Sequence, residues 1–190
     1  NNDLEGCYAL GVDIDASATS SWNTEQGFSP IGHQKESGLA GKFDGLGHTI
    51  RDLYINLSGK ANNVGLFSRA SGSNVSIKNA GLINVDIEGS SYIGALVGHL
   101  EHGATIDNCY STGTIKAHAF YNGNNYCDGG LLGGLVGLSS RSTISNSYTT
   151  GIICGEGNSI GGLIGNSSNS TINNSYATGS VTGKFFVGGL

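Results

Sequence analysis

The chain has 190 residues, of which 33 are Gly, 1 is Pro and none is Met, and its formal net charge is −5. Only 12% of its residues are charged, which argues against the basic patch a nucleic-acid partner needs; no apolar run reaches the length of a membrane-spanning helix, so membrane insertion is not expected. The excess of Gly, Ser, Asn and Thr falls at fixed spacings, as in a folded repeat rather than a disordered tract, and the lack of Met reads as an internal fragment or a processed chain.

Residues 1–63 run through Tyr8-Ala9-Leu10-Gly11-Val12-Asp13-Ile14-Asp15, then Gly41-Lys42-Phe43-Asp44-Gly45-Leu46-Gly47-His48-Thr49-Ile50. Alternation over Thr49–Leu57 marks strands. This part is expected to form irregular first coils of the structure that follows. Asp13 and Asp15 are two apart, so their carboxylates share a strand face. Such a pair suits glycoside hydrolysis or Ca²⁺. However, Asp86, Asp107 and Asp128 occupy different repeat positions, and a solvated strand edge is favoured.

From residue 64 onward one pattern returns: Val64-Gly65-Leu66-Phe67, Ile93-Gly94-Ala95-Leu96-Val97-Gly98, Leu132-Gly133-Gly134-Leu135-Val136-Gly137, Ile160-Gly161-Gly162-Leu163-Ile164-Gly165, and a partial Val187-Gly188-Gly189-Leu190. The marker glycines Gly65, Gly94, Gly133, Gly161 and Gly188 lie 29, 39, 28 and 27 residues apart. Repeats of this size stack and bury their apolar faces against one another. The predicted units are 64–92, 93–131, 132–159, 160–186 and a partial 187–190.

Within a unit the periodicity is two, with Gly, Ser and Asn at the turns and no helical stripe. The prediction is an all-β parallel solenoid of about 28-residue repeats. Three columns follow from it. Ile77, Ile106, Ile144 and Ile172 stack inside. Asn79, Asn108, Asn146 and Asn174, two positions on, form an amide ladder. Tyr110, Tyr148 and Tyr176 form a third column, with Leu82 in the Tyr place of the first repeat after an extra residue. The glycines mark bends where φ is positive or backbones approach closely. Thr112, Thr150 and Thr178 make a single rank, for which a β-branched strand column is favoured over an ice-binding array.

The 39-residue interval carries an insertion within His118–Gly130. Insertions of this kind map to loops on one face of a solenoid, and Phe120, Tyr121, Asn122, Asn124, Asn125 and Tyr126 are the candidate binding loop, rich in the residue types of adaptable contact surfaces. Cys127 and Cys154 fall six and seven residues before Gly133 and Gly161. Rungs about 4.8 Å apart suit a disulfide between them, and such a bridge would imply an oxidising compartment. Cys109 aligns with Ser147 and Ser175, as expected for a buried thiol, and Cys7 has no assigned partner. His99-Leu100-Glu101-His102 has the wrong spacing for a metallopeptidase helix and reads as a loop. Asn-x-Ser/Thr sequons stand at Asn56, Asn74, Asn166, Asn169 and Asn173, a weak signal in so Asn-rich a chain. No metal set, nucleophile elbow or phosphate loop is found, so no cofactor and no catalysis are expected.

The repeats resemble the GLUG motif, named for its Gly-Leu-x-Gly core. The leading stretch is similar to what precedes such repeats in large secreted bacterial adhesins, including filamentous-haemagglutinin-like exoproteins of two-partner secretion. The resemblance implies a right-handed parallel β-helix in an exported fibre at the bacterial cell surface. Its partners would be host or surface glycans or proteins. Similar repeats occur beside the catalytic part of some IgA-cleaving metallopeptidases, so a non-catalytic region of a larger peptidase is one alternative. Others are a head-to-tail filament subunit and a polysaccharide-degrading β-helix enzyme.

Overall fold

The computed structural model describes residues 3–33, 38–58, 62–117 and 130–190. Its strands pair in parallel with the equivalent strands of neighbouring coils. One turn of the solenoid is traced by Thr105–Asp107, Tyr110–Ala117, Leu131–Gly133 and Val136–Ser140. The next is Thr143–Ser145, Tyr148–Thr149, Ile152–Gly155, Ser159–Gly161 and Ile164–Ser168. Among the described residues, stacked turns build four sheets of six, five, four and nine strands, which wrap the core.

Register is what the repeat demands. Ile77, Ile106, Ile144 and Ile172 lie directly over one another. The column continues backward through Phe43 to Tyr8. Ile77, Ile106 and Ile144 are fully buried, whereas Ile172, in the outermost turn, is only partly covered. Leu135 and Leu163, the leucines of Gly-Leu-x-Gly cores, and Leu96 of the Ala-Leu-x-Gly variant are equally buried. Side chains alternate across each short strand, so one β-branched or aliphatic residue per strand is enough to fill the interior.

The marker glycines Gly65, Gly94, Gly133 and Gly161 are crowded rather than left-handed, and the same holds for Gly137 at the end of its core. A Cβ on Gly133 would sit 2.1 Å from the Val136 carbonyl oxygen, and one on Gly137 would sit 2.5 Å from the Ile93 nitrogen. Two sheets meet at this corner with backbone against backbone, and only glycine leaves room.

The first 63 residues enter the same stack. Cys7–Ala9 pairs with Lys42–Asp44, and that strand pairs with Ser76–Lys78. Ile14–Asp15 pairs with Thr49–Arg51, which pairs with the start of Gly81–Gly89. Between these strands the chain leaves the rung pattern. Ser17–Ser21 forms a short 3₁₀ turn, and Gly27, Ile31 and Leu39 make only isolated bridges to Ile55, Phe67 and Ala70.

One alignment is corrected. Gly81, not Leu82, stands opposite Tyr110, and Leu82 pairs with Ser111. The extra residue lies later, where the register shifts between Ser111 and Gly113 around Asn84 (φ 54°) and Gly113 (φ 115°). The Tyr110 ring lies over Gly81, where a Cβ would come within 2.4 Å of it. A small residue is therefore required there.

Removing one rung of the inner column tests this packing. Ile106→Ala is expected to cost about 2–5 kcal/mol, the usual range for a buried Ile emptied to Ala. Ile172→Ala, at a half-covered site, is expected to cost less. Urea midpoints of the two variants against wild type give the comparison; equal losses would contradict the stacking.

Candidate functional surface

The outward columns are built at the corners of each turn. Asn79, Asn108, Asn146 and Asn174 all adopt the left-handed region, with φ of 54°, 52°, 50° and 47°. Asn enters that region at lower cost than other side chains bearing a Cβ. Its amide is then free to reach the rung below. Asn79 Nδ2 donates to Asp44 Oδ1 at 3.0 Å and Asn108 Nδ2 to Asn79 Oδ1 at 2.9 Å. Asn146 breaks the expected run. It donates to Asp107 Oδ1 at 2.7 Å instead of to Asn108, and Asn174 then donates to Asn146 Oδ1 at 3.3 Å. An ionised carboxylate is the stronger acceptor, so two short ladders replace one. The bond from Asn79, the Leu46 amide and Lys78 together hold the Asp44 carboxyl below its ordinary value.

The Tyr column forms as predicted. Tyr110 and Tyr148 stack with centroids 5.1 Å apart and planes 4° from parallel; Tyr148 and Tyr176 follow at 5.2 Å and 5°. Burial, the neighbouring Tyr148 and the Asp13 carboxylate raise the Tyr110 phenol above its usual value. Thr150 and Thr178 fall outside the strands, and Thr112 Oγ1 accepts from the Asn84 amide. The three therefore make no flat strand rank. Asp13 and Asp15 are likewise used locally. Asp13 accepts from the Thr49 amide at 2.7 Å and lies 3.3 Å from His48 Nδ1, while Asp15 accepts from the Ser17 amide at 3.0 Å.

The His99–His102 segment differs from the sequence reading. His99 and Glu101 lie in the strand Val97–Glu101, not in a loop. Glu101 is buried, 6% exposed, and accepts from Arg69 of the preceding turn, with Nε 2.6 Å from Oε1 and a second contact from the guanidinium. His99 Nε2 stands 3.4 Å from Glu101 Oε2 without a hydrogen bond, and His102 Nδ1 lies 3.4 Å from Oε1 and 3.1 Å from Ser71 Oγ. Burial pushes the His99 imidazole below its ordinary value, against the pull of Glu101. Burial also works against the Glu101 charge, but the Arg69 hydrogen bond and the nearby histidines leave that carboxyl below its ordinary value. In register Arg69 stands opposite His99 and Ser71 opposite Glu101, so the Arg69–Glu101 contact runs diagonally between turns.

Cys109 is buried, donates toward the Asp107 carbonyl at 3.3 Å, and burial pushes its thiol up to about 12. It is an inert packing residue. Cys154 is half-buried and has no disulfide partner among the described residues. Its predicted partner Cys127 lies outside the described residues, as do Phe120, Tyr121, Asn122, Asn124, Asn125 and Tyr126 of the candidate binding loop. Among the described residues no group of three or more His, Cys, Asp or Glu side chains could hold a metal, and no helix is long and apolar enough to cross a membrane.

These features define a parallel β-solenoid of stacked repeats with polar and aromatic columns on its outer faces. The chain carries the GLUG motif, matched over residues 89–116 and 156–182. It is 40% identical over 146 residues to halomucin of Haloquadratum walsbyi; the match takes in 76% of this chain and 1% of halomucin. A crystal structure of a candidate immunoglobulin A1 protease from Bacteroides ovatus superposes over 93% of this chain and 60% of that one. The TM-score is 0.54 at 19% identity, a likeness of fold alone.

Two measurements probe these columns. The unfolded chain binds protons before the folded one at both His99 and Glu101. Stability is therefore full above about 6.5, the ordinary histidine value. It falls as pH drops below that toward the lower folded value, and falls again below 4.5 through the folded value of Glu101. His99→Gln is expected to remove the upper loss and keep the lower one in urea midpoints taken from neutral pH downward. At the corner, Asn146→Ala is expected to be less stable than Asn146→Gly by about 1 kcal/mol. Both variants lose the amide bonds, but only Ala carries a Cβ in the left-handed region.

Proposed function

We propose that this chain is a non-catalytic repeat segment of a large secreted or cell-surface protein, a stiff β-solenoid that displays loops and side-chain columns for adhesion. The observation that carries this reading is the in-register stack itself. The Ile and Tyr columns run on from turn to turn, the Asn corners recur beside them, and Asp13, Asp15 and Asp107 are spent on the backbone and on a neighbouring rung. A hydrolase needs an acid and a base converging on one substrate position. Here the buried Glu101 is tied to Arg69.

The similarity to halomucin, a mucin by name, supports an extracellular setting. This chain corresponds to only 1% of that protein, so partners and activities of the whole remain part of the proposal. Host or surface glycans and proteins are the partners that fit best, with the residue 120–126 loop as the recognition element. Tyr and Asn combine contact area with hydrogen bonding at modest entropic cost.

Binding of the immobilised chain to glycan and matrix-protein arrays tests the reading. Retained ligands are expected to be lost in a Tyr121→Ala/Tyr126→Ala variant that keeps the wild-type unfolding midpoint. Unchanged binding removes that loop from the proposal. Cleavage of acidic polysaccharides, with or without Ca²⁺, would overturn the non-catalytic reading.

A further inference from the structure

Over most of its length the solenoid interior is filled by stacked aliphatic side chains. Beneath the 3₁₀ turn it is not. A cavity of about 250 Å³ opens there. Its floor is Phe43, Ile50, Leu53 and Leu66 of the second turn, and its roof is Trp22 and Phe28 of the covering segment. The floor residues are almost wholly shielded from the surface.

Two polar side chains reach the wall, Asp15 and Thr19, and both are already engaged. Thr19 Oγ1 donates to the Ala16 carbonyl at 2.6 Å and accepts from the Tyr54 amide at 2.9 Å. Asp15 accepts from the Ser17 amide at 3.0 Å. Apart from these two the lining is aliphatic and aromatic, and Asp15 is an exposed residue whose carboxylate keeps acceptor sites for water; among the buried floor residues a polar guest finds no side-chain partner, and burying one unsatisfied is costly. Native interiors hold few voids larger than a water molecule. Predominantly apolar ones favour apolar guests, and an enclosed cavity of about 150 Å³ is enough for benzene. This one is larger. It also has an entrance, because Trp22 and Ile14 on its rim are 47% and 39% exposed.

We infer that this cavity is a binding site for a small uncharged apolar molecule, the size of a two-ring aromatic or a short aliphatic chain. Recognition is by shape and by contact with the Trp22, Phe28 and Phe43 rings. The site exists because the first turn replaces regular strands with single bridges and cannot supply a filled rung of its own.

The probe is N-phenyl-1-naphthylamine, titrated into the intact chain while its own emission and that of Trp22, the single tryptophan, are followed. One saturable site per chain is expected, with the probe emission moving to the blue. Displacement by 1-octanol or by naphthalene then tells an aliphatic from an aromatic preference. Ala16→Phe places a ring from the wall into the space; it is expected to weaken the probe roughly tenfold, the loss of about one aliphatic group's burial, and to raise the unfolding midpoint. Ile14→Asn at the exposed rim is expected to weaken binding with little effect on folding, and stands in should Ala16→Phe fail to fold. Absence of saturable binding, or wild-type affinity in both variants, overturns the inference.

Discussion

The strands of the regular turns are hydrogen-bonded in parallel to those of neighbouring turns, so a strand residue meets its counterpart about 4.8 Å away. Like stacks on like. That suits aliphatic residues, which bury one another, and Asn and Tyr, whose amides and rings pair with copies of themselves. It penalises charge, because identical ions directly opposite repel. The low charged content follows, and so does the placement of the charges that remain. Asp44, Lys78 and Asp107 stand in one column with alternating sign; Asp15 faces Arg51 and Glu88 faces Lys116. Charge is admitted where neighbouring rungs differ, not where they repeat.

The same constraint explains what was legible in the sequence. The Ile, Asn and Tyr columns could be read because each recurs at one offset from a marker glycine, and pairing in register turns equal offset into contact. The first repeat was read one place out. Its extra residue could stand before or after the Tyr position as far as spacing goes, and only the Tyr110 ring lying against Gly81 decides between them. His99 and Glu101 were taken for a loop because their strand is short and polar on its outer side. Their partner Arg69 lies 32 residues away, and no local pattern announces it. The Asn ladder was foreseen without its interruption, since Asp107 occupies a position that carries Ser or Asn in the following repeats and breaks the rule that neighbours are copies.

Corners and faces carry different loads. Faces supply hydrogen bonds between rungs and an aliphatic core. Corners must turn the chain in very little space, and two solutions recur. Glycine is used where backbones press together, as at Gly133 and Gly137. Asparagine is used where the chain turns through the left-handed region, as at Asn108 and Asn146. The asparagine corners also reach a neighbouring rung with an amide, so one residue serves both the turn and the stack. That double duty accounts for an Asn in this place in every full repeat.

A structure whose parts all copy one another is poor at recognising one thing in particular. Specificity needs a place where the copying stops. The sequence has two such places: the His118–Gly130 insertion, and the segment after Asp15 that abandons regular rungs. In the second, the loss of in-register strands has a direct physical consequence. Side chains that would have stacked on a complete first turn instead face Trp22 and Phe28 across an unfilled space. The regular turns repeat one packing solution, and where the repeat fails after Asp15 the loss of packing leaves the space that the proposed guest would fill.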